Sequence, residues 1–185
     1  LAIAGALEAD DLLALLASPE TVARVAAAGL AGDLIRGGWD RQGRLAEALV
    51  ALASTEPQAS VRLPLALSAD ALVEGQRRSI LRTLLERDGT DPWIRYAVFT
   101  SLDGDAAAVV DEWLADPARL AGRGAAAALP GLVAQVGRKH DAAELSRIVT
   151  GIARIADDPA PGAVDTRPAA TILLDELSRA QIGRA

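Results

Sequence analysis

A helix start followed by a buried stripe recurs three times in this chain, and that recurrence limits what it can fold into. The fullest copy is Asp91-Pro92-Trp93-Ile94-Arg95-Tyr96-Ala97-Val98-Phe99-Thr100-Ser101-Leu102. Asp91 can accept hydrogen bonds from the first free amides of a helix, and Pro92 suits the first helical position, where no N–H is needed. Ile94, Ala97, Val98, Ser101 and Leu102 then return at the spacing of one helical face. Upstream, Ser18-Pro19-Glu20 reads as a cap with proline at the first helical position. Thr55 and Gln58 have the spacing of a capping box around Pro57. Pro19 to Pro57 is 38 residues, Pro57 to Pro92 is 35, and Val61-Arg62 to Ile94-Arg95 is 33. A unit of that length is a helix pair, which covers its apolar face only by stacking on its neighbours. The expected fold is all-α, a right-handed α-solenoid of about three to five irregular HEAT-like helix pairs.

Composition agrees with this class. The chain is 51% hydrophobic and only 3% aromatic, with alanine and leucine supplying most of the apolar mass; these are strong helix formers, and strand-forming aromatic residues are scarce. A net charge of −6 argues against general nucleic-acid binding, which needs clustered positive charge. No apolar run approaches the ~18–20 residues of a membrane span. The absence of cysteine excludes disulfides, thiolate catalysis, Cys-ligated zinc and covalent haem attachment within these residues.

Taken in order, residues 1–16 hold an apolar run behind Asp10-Asp11, and Val22, Val25, Ala26 and Gly29 follow Pro19 at helical spacing. Gly32-Asp33 and Gly37-Gly38 predict a short helix and a turn over 31–41. Leu45, Leu49, Val50 and Leu52 form the next face. Pro64 falls inside the following helix, which must start late, near Ser60, or kink. Ser68 to Asp70 reads as a turn, and Ile80, Leu81, Leu84 and Leu85 as a buried stripe. Val109, Val110, Trp113 and Leu114 come after Asp103-Gly104-Asp105. Beyond residue 116 the pattern loosens: Pro130-Gly131 interrupts an Ala-rich stretch, and Asp141 and Glu144 have capping-box spacing before Leu145, Ile148, Val149 and Ile152. Residues 157–168 form the longest expected loop, ahead of a last helix over about 168–182 that buries Ile172, Leu173 and Leu177. The expected organisation is a single domain over 1–185, more regular over 9–116 than over 117–185.

Three runs resemble the HEAT-like segment of a bacterial multidomain family, the PVC-type (planctomycete-type) membrane-bound dehydrogenases or haem-binding proteins. They are Ser60-Val61-Arg62-Leu63-Pro64-Leu65-Ala66-Leu67, Leu84-Leu85-Glu86-Arg87-Asp88 and Asp91 to Val98. Gly131 to Arg138 with Asp141 to Leu145 also fits. In that family a β-propeller precedes the repeats and a c-type haem module with Cys-x-x-Cys-His follows, so the resemblance implies a periplasmic or cell-envelope setting. Neither motif occurs here, and the family's oxidoreductase and haem labels have no residue in this chain to attach to. The resemblance, the first residue Leu1 and the lack of methionine together suggest a segment of something longer, with self-association expected through the N-terminal helix pair.

Candidate chemistry is sparse. His140 is the one histidine and reads as a solvated turn residue. Asp10-Asp11 and Asp157-Asp158 read as a helix start and loop solvation, since adjacent carboxylates alone do not supply the six or more oxygen ligands of calcium. Arg77, Arg78 and Arg82 lie four residues from Glu74 or Glu86, the pattern of a salt-bridged helix face. Gly122-Arg123-Gly124 lacks a Walker lysine and a preceding strand. Trp93 and Trp113 read as interhelical packing residues. Arg62 and Arg95, at matching repeat positions, are expected to form an inter-repeat ladder with acids such as Asp88 and Asp91; the competing reading lines a concave groove with them. The expected role is a non-catalytic scaffold or interaction segment, with neighbouring domains or a protein as partner and no cofactor. The alternatives are a stand-alone adaptor binding through its concave face and, third, an enzyme with a cleft the sequence does not reveal. A HEAT-like DNA-repair enzyme is disfavoured by the acidic charge.

Overall fold

A computed structural model describes residues 8–102, 104–139, 141–157, 165, 167, 170–172, 174 and 175. Among these the chain forms ten α-helices and one 3₁₀ turn, with no strand. The helices are α1 (Ala9–Leu16), α2 (Thr21–Arg36), α3 (Arg44–Thr55), α4 (Ala59–Ser68), α5 (Glu74–Asp88), α6 (Pro92–Ser101), α7 (Ala106–Ala115), α8 (Pro117–Leu120), α9 (Arg123–Lys139) and α10 (Ala142–Asp157), and the 3₁₀ turn is Ala69–Ala71. No described helix is long and apolar enough to cross a membrane. Two compact units emerge, one of Leu1–Leu84 with Asp91–Leu102 and one of Leu85–Thr90 with Asp103–Ala185.

In the first unit α1 packs on α2 and α3, α2 on α3 and α4, and α4 on α6. The helix starts differ from expectation at two of three sites. Asp91 does cap α6, its Oδ1 accepting from the amides of Trp93 at 2.8 Å and Ile94 at 3.1 Å, with Pro92 at the first position. By contrast, Pro19 and Pro57 lie outside their helices, ahead of the cap residues Glu20 and Gln58. A residue before proline is pushed out of the helical region, so each helix begins only after the proline. Ser18 Oγ accepts from the Glu20 amide at 3.1 Å, and Glu56 Oε1 from the Gln58 amide at 2.8 Å. Thr55 closes no capping box; its hydroxyl donates back to the Ala51 carbonyl at 3.2 Å. Counted from the first helical residue, α2, α4 and α6 start at 21, 59 and 92, spacings of 38 and 33.

The expected break over 31–41 is absent until Arg36, because α2 runs straight through Gly29 and Gly32. Its buried face is Ala27, Ala28, Ala31, Gly32 and Leu34, while Val22 is 81% exposed. Small residues are required there: a Cβ on Gly32 would come within 2.5 Å of Ser68 Oγ on α4. Glycine in α2 therefore marks a close helix–helix approach and not a stop. Helix α4 likewise continues through Pro64, held by the buried Val61, Leu65 and Ala66. The carbonyl that Pro64 leaves without an amide partner is that of Ser60, which is exposed to water.

In the second unit α7 packs on α8, α9 and α10, and α9 on α8 and α10. Trp113 is fully buried on α7, with Val109, Val110 and Leu114 around it. Helix α9 runs through Pro130, which does not end it; Ala128, Leu129, Leu132, Val133 and Val136 form its buried stripe. Asp141 Oδ1 caps α10, accepting from the amides of Ala143 and Glu144, both at 2.9 Å. Leu145, Ile148, Ile152 and Ile155 face inward, whereas Val149 is 45% exposed. Gly124 has a packing role: a Cβ there would collide with the backbone carbonyls of Leu85 and Glu86, and one on Gly89 with the carbonyl of Gly124. His140, Asp158, most of the expected 157–168 loop and most of the expected last helix, Leu173 and Leu177 included, lie outside the described residues, as do residues 1–7; residues 170–172, 174 and 175 are helical, with Ile172 half-buried.

Candidate functional site

The arginines singled out in the sequence belong to a set of three. Arg24, Arg62 and Arg95 are each the fourth residue of their helix, in α2, α4 and α6. Arg24 and Arg62 each stand five residues after a proline, but Arg95 stands three after Pro92; the runs Val22-Ala23-Arg24, Ser60-Val61-Arg62 and Trp93-Ile94-Arg95 align all three. Arg24 Nη1 donates to the carbonyls of Ser18 at 2.8 Å and Pro19 at 3.0 Å. Arg62, 6% exposed, donates from Nη1 to the carbonyl of Glu56 at 2.9 Å. Both arginines thus reach the carbonyl six residues upstream, in the turn leading into their own helix. Arg95 is half-buried.

Glu56, in the turn before α4, ties that turn to α2. Its carboxylate, 1% exposed, receives Arg24 Nε at 2.7 Å and Nη2 at 3.1 Å, a two-point pairing of guanidinium and carboxylate. The hydrogen bond from Arg24 holds the Glu56 carboxyl below its ordinary range against the opposing effect of burial, helped by the Gln58 amide and the charges of Arg24 and Arg62. Arg24 is raised by the same hydrogen bond. Glu56 carries the charged pairing at this turn; the Asp91 carboxylate is engaged as the α6 cap.

A second rung is made by serine. Ser68, the tenth residue of α4, donates from Oγ to the carbonyl of Ala28, the eighth residue of α2, at 3.0 Å. Ser101, the tenth residue of α6, donates to the carbonyl of Ala66, the eighth residue of α4, also at 3.0 Å. The same bond at the same two positions fixes α4 on α2 and α6 on α4. At the other end of α2, Arg36 pairs with Asp70 at 3.2 Å and with Asp33 at 2.5 Å. Because Arg24 meets the turn before α4 and Arg36 meets the turn after it, α2 and α4 run parallel.

Register bonds on one side leave the other side to solvent. Within the first ten residues of α2, α4 and α6, the exposed side chains are Val22, Ala26, Leu30, Ala59, Ser60, Leu67, Pro92, Trp93, Tyr96 and Thr100. None is charged, on a chain that is 24% charged. Trp93 is 74% exposed and Tyr96 69%, which corrects the expectation of a packing role for Trp93. The buried stripe of α6 is Ile94, Ala97, Val98 and Ser101, and Trp93 and Tyr96, three apart, share the opposite face. Trp113 does pack, and its Nε1 donates to Glu86 Oε1 at 3.0 Å.

Two open clefts lie elsewhere on the surface. One lies among Glu8, Asp10, Trp39, Asp40, Gln42 and Arg44; there Arg44 pairs with Asp10 at 2.5 Å, and the Asp40 carboxylate accepts from the amides of Leu45 and Ala46. The other lies between α7 and α10; there Arg147 pairs with Asp111 at 3.1 Å and Arg154 donates to the Leu114 carbonyl. In both, the ionic groups just paired hold elements together; Arg41, which also lines the first cleft, makes none of these pairs. Arg78 and Glu74 pair at 3.4 Å on α5. Among the described residues no cluster of His, Cys, Asp and Glu is arranged to hold a metal ion. Comparison of the chain with protein-family models, characterised proteins and solved structures returns no match.

Proposed function

We propose that this chain is a non-catalytic helical-repeat scaffold, an α-solenoid of HEAT-like helix pairs that holds a surface in fixed register for a neighbouring domain or protein. The observation that carries the reading is the serine rung, repeated between the same two helical positions from α2 to α4 and from α4 to α6. A side-chain bond to a neighbouring helix backbone fixes translation along the helix axis, which apolar packing alone leaves soft. Arg24 and Glu56 add an orienting pair at the end of the same helices. A solenoid needs such terms because each repeat touches only its neighbours. The resemblance to the HEAT-like segment of the PVC-type proteins supports the same role.

The lack of cysteine makes the test clean. Single cysteines at Ala26 and Thr100, both exposed, accept spin labels whose separation is read by pulsed electron resonance. A fixed scaffold gives one narrow distance distribution, which broadens in the Ser68→Ala, Ser101→Ala double variant. A broad distribution in the parent chain overturns the scaffold. Small-angle X-ray scattering tests the solenoid separately, since a compact chain of this length has a radius of gyration of about 16 Å and an extended array exceeds it.

A further inference from the structure

We infer that the uncharged outer face of α2, α4 and α6 is covered by a second copy of this chain. The inference goes beyond the scaffold reading and stands on a different side of the same helices. The face begins with Val22, 81% exposed, and Leu30, 38%, on α2; it continues through Leu67, 52%, on α4 and ends at Trp93 and Tyr96 on α6. The serine rungs hold these three helices in common register, so the side chains form one band.

Area decides between a scatter of apolar residues and a docking surface. Isolated exposed leucines are ordinary, but contiguous apolar patches beyond a few hundred Å² mark interaction sites. The five side chains just named expose on the order of 600 Å², judged from their exposures and the ~150–250 Å² that one large aromatic side chain can bury. The smaller exposed residues between them bring the band toward the ~800 Å² per partner of a stable interface.

Charge favours the second copy as occupant. Two chains of net charge −6 repel over most of their surfaces, but across this band no charged side chain is stripped of water or set against its like. Charges border the band: Glu20 and Asp91 at the starts of α2 and α6, the half-buried Arg24 and Arg95, and the mutually paired Asp33, Arg36 and Asp70 beyond the far end of α2 and α4. An isologous contact brings identical patches together, so a neutral band is complementary to itself. Trp93 and Tyr96 supply the aromatic anchors in which interface cores are enriched.

Sedimentation equilibrium of the whole chain, from 1 µM to 1 mM, tests the inference. The parent chain is expected to pass from 19.1 kDa to twice that mass. Tyr96→Glu and Leu67→Glu, each at an exposed site, should weaken the dimer at least tenfold with unchanged far-ultraviolet circular dichroism. Val149→Glu, on α10, should leave it intact. If a glutamate variant fails to fold, Trp93→Ser gives the same readout with a smaller change. A chain that remains a monomer to 1 mM overturns the inference, as does a dimer that survives both Tyr96→Glu and Leu67→Glu. Because Ala26 and Thr100 lie in this band, the label-distance test of the scaffold is read in the Tyr96→Glu background, where only distances within one chain remain, and its outcome is independent of the dimer.

Discussion

The two units solve the same packing problem with different chemistry. In both, partners lie 27 to 40 residues apart: Arg24 with Glu56, Ser68 with Ala28, and Ser101 with Ala66 in the first; Trp113 with Glu86, Arg147 with Asp111, and Arg154 with Leu114 in the second. Separations of this size therefore recur past residue 116, where the sequence pattern loosens. What changes is the device. The first unit reuses one serine bond at fixed positions, so its stacking is set by directional bonds. The second has no repeated bond among the described residues; its tightest approach is backbone on backbone, through Gly89 and Gly124. Hydrogen bonds tolerate small shifts and can be removed singly, whereas a backbone approach admits no added atom.

The largest effect is expected at Glu56. Glu56→Ala leaves the Arg24 guanidinium its bonds to the Ser18 and Pro19 carbonyls but no carboxylate, and should give the largest loss of stability of these variants in urea unfolding. The pH dependence has a definite sign. The folded-state carboxyl of Glu56 is lowered, so its contribution is fully present above the ordinary carboxylate value of about 4.3 and is lost as pH falls through the lowered folded value. Glu56→Gln should flatten that acid-side decline. An unchanged decline would place the acid sensitivity of the protein elsewhere.

Gly124→Ala probes the other device. The new methyl would meet two carbonyl groups that cannot turn away, and about 2 kcal/mol of destabilisation is expected from thermal or urea melts. Gly29→Ala is the control in the first unit. It is helical with nothing within 4 Å of an added Cβ, so the same substitution should stabilise by about 0.5–1 kcal/mol. Equal effects at the two positions would break the contrast between the units.

Ser101→Ala should cost about 1 kcal/mol, the net worth of one buried hydrogen bond. Ala66 keeps its own helical environment, so the loss should not grow beyond that. A loss above about 2 kcal/mol in urea unfolding would mean that the rung also governs how α6 packs.

How far the residues foretold all this depended on what a sequence can encode locally. The helical class, the Asp91 cap, the Asp141 cap and the burial of Trp113 all follow from short-range patterns of capping and periodicity. The close approach of α2 to α4 does not, because Gly32 looks like a helix breaker until Ser68 is known to lie against it. Pro64 and Pro130 look disruptive for the same reason: apolar packing on neighbouring helices outweighs their local penalty. Trp93 was misread because its size suggests burial, while its place beside the Ile94–Ala97–Val98 stripe turns it outward. Proline spacing brings Arg24 onto Arg62 but displaces Arg95, and only counting from the first helical residue brings the three arginines together; nothing local marks Glu56 as the carboxylate that Arg24 meets.

The clearest sequence signal carries an effect no larger than that of the serine bond. Asp91 Oδ1 receives two amides at the start of α6, and the residue is half-buried. Removing those bonds with Asp91→Ala should lower stability by about 1 kcal/mol. Asp91→Asn retains an oxygen acceptor in the same place and gives up only the charge, so it should be nearly neutral. The comparison separates two sources of the cap's value. If both variants lose the same amount in urea unfolding, the negative charge at the positive end of the helix carries the effect, and added salt should reduce the parent's advantage. If only alanine loses, the hydrogen bonds carry it and salt should make little difference. The second outcome is expected, because both amides lie within direct bonding distance and the bonds need no long-range field. It would also tie the two tests in this unit together, since Asp91 and Ser101 then hold the two ends of α6 by the same kind of short, directional bond.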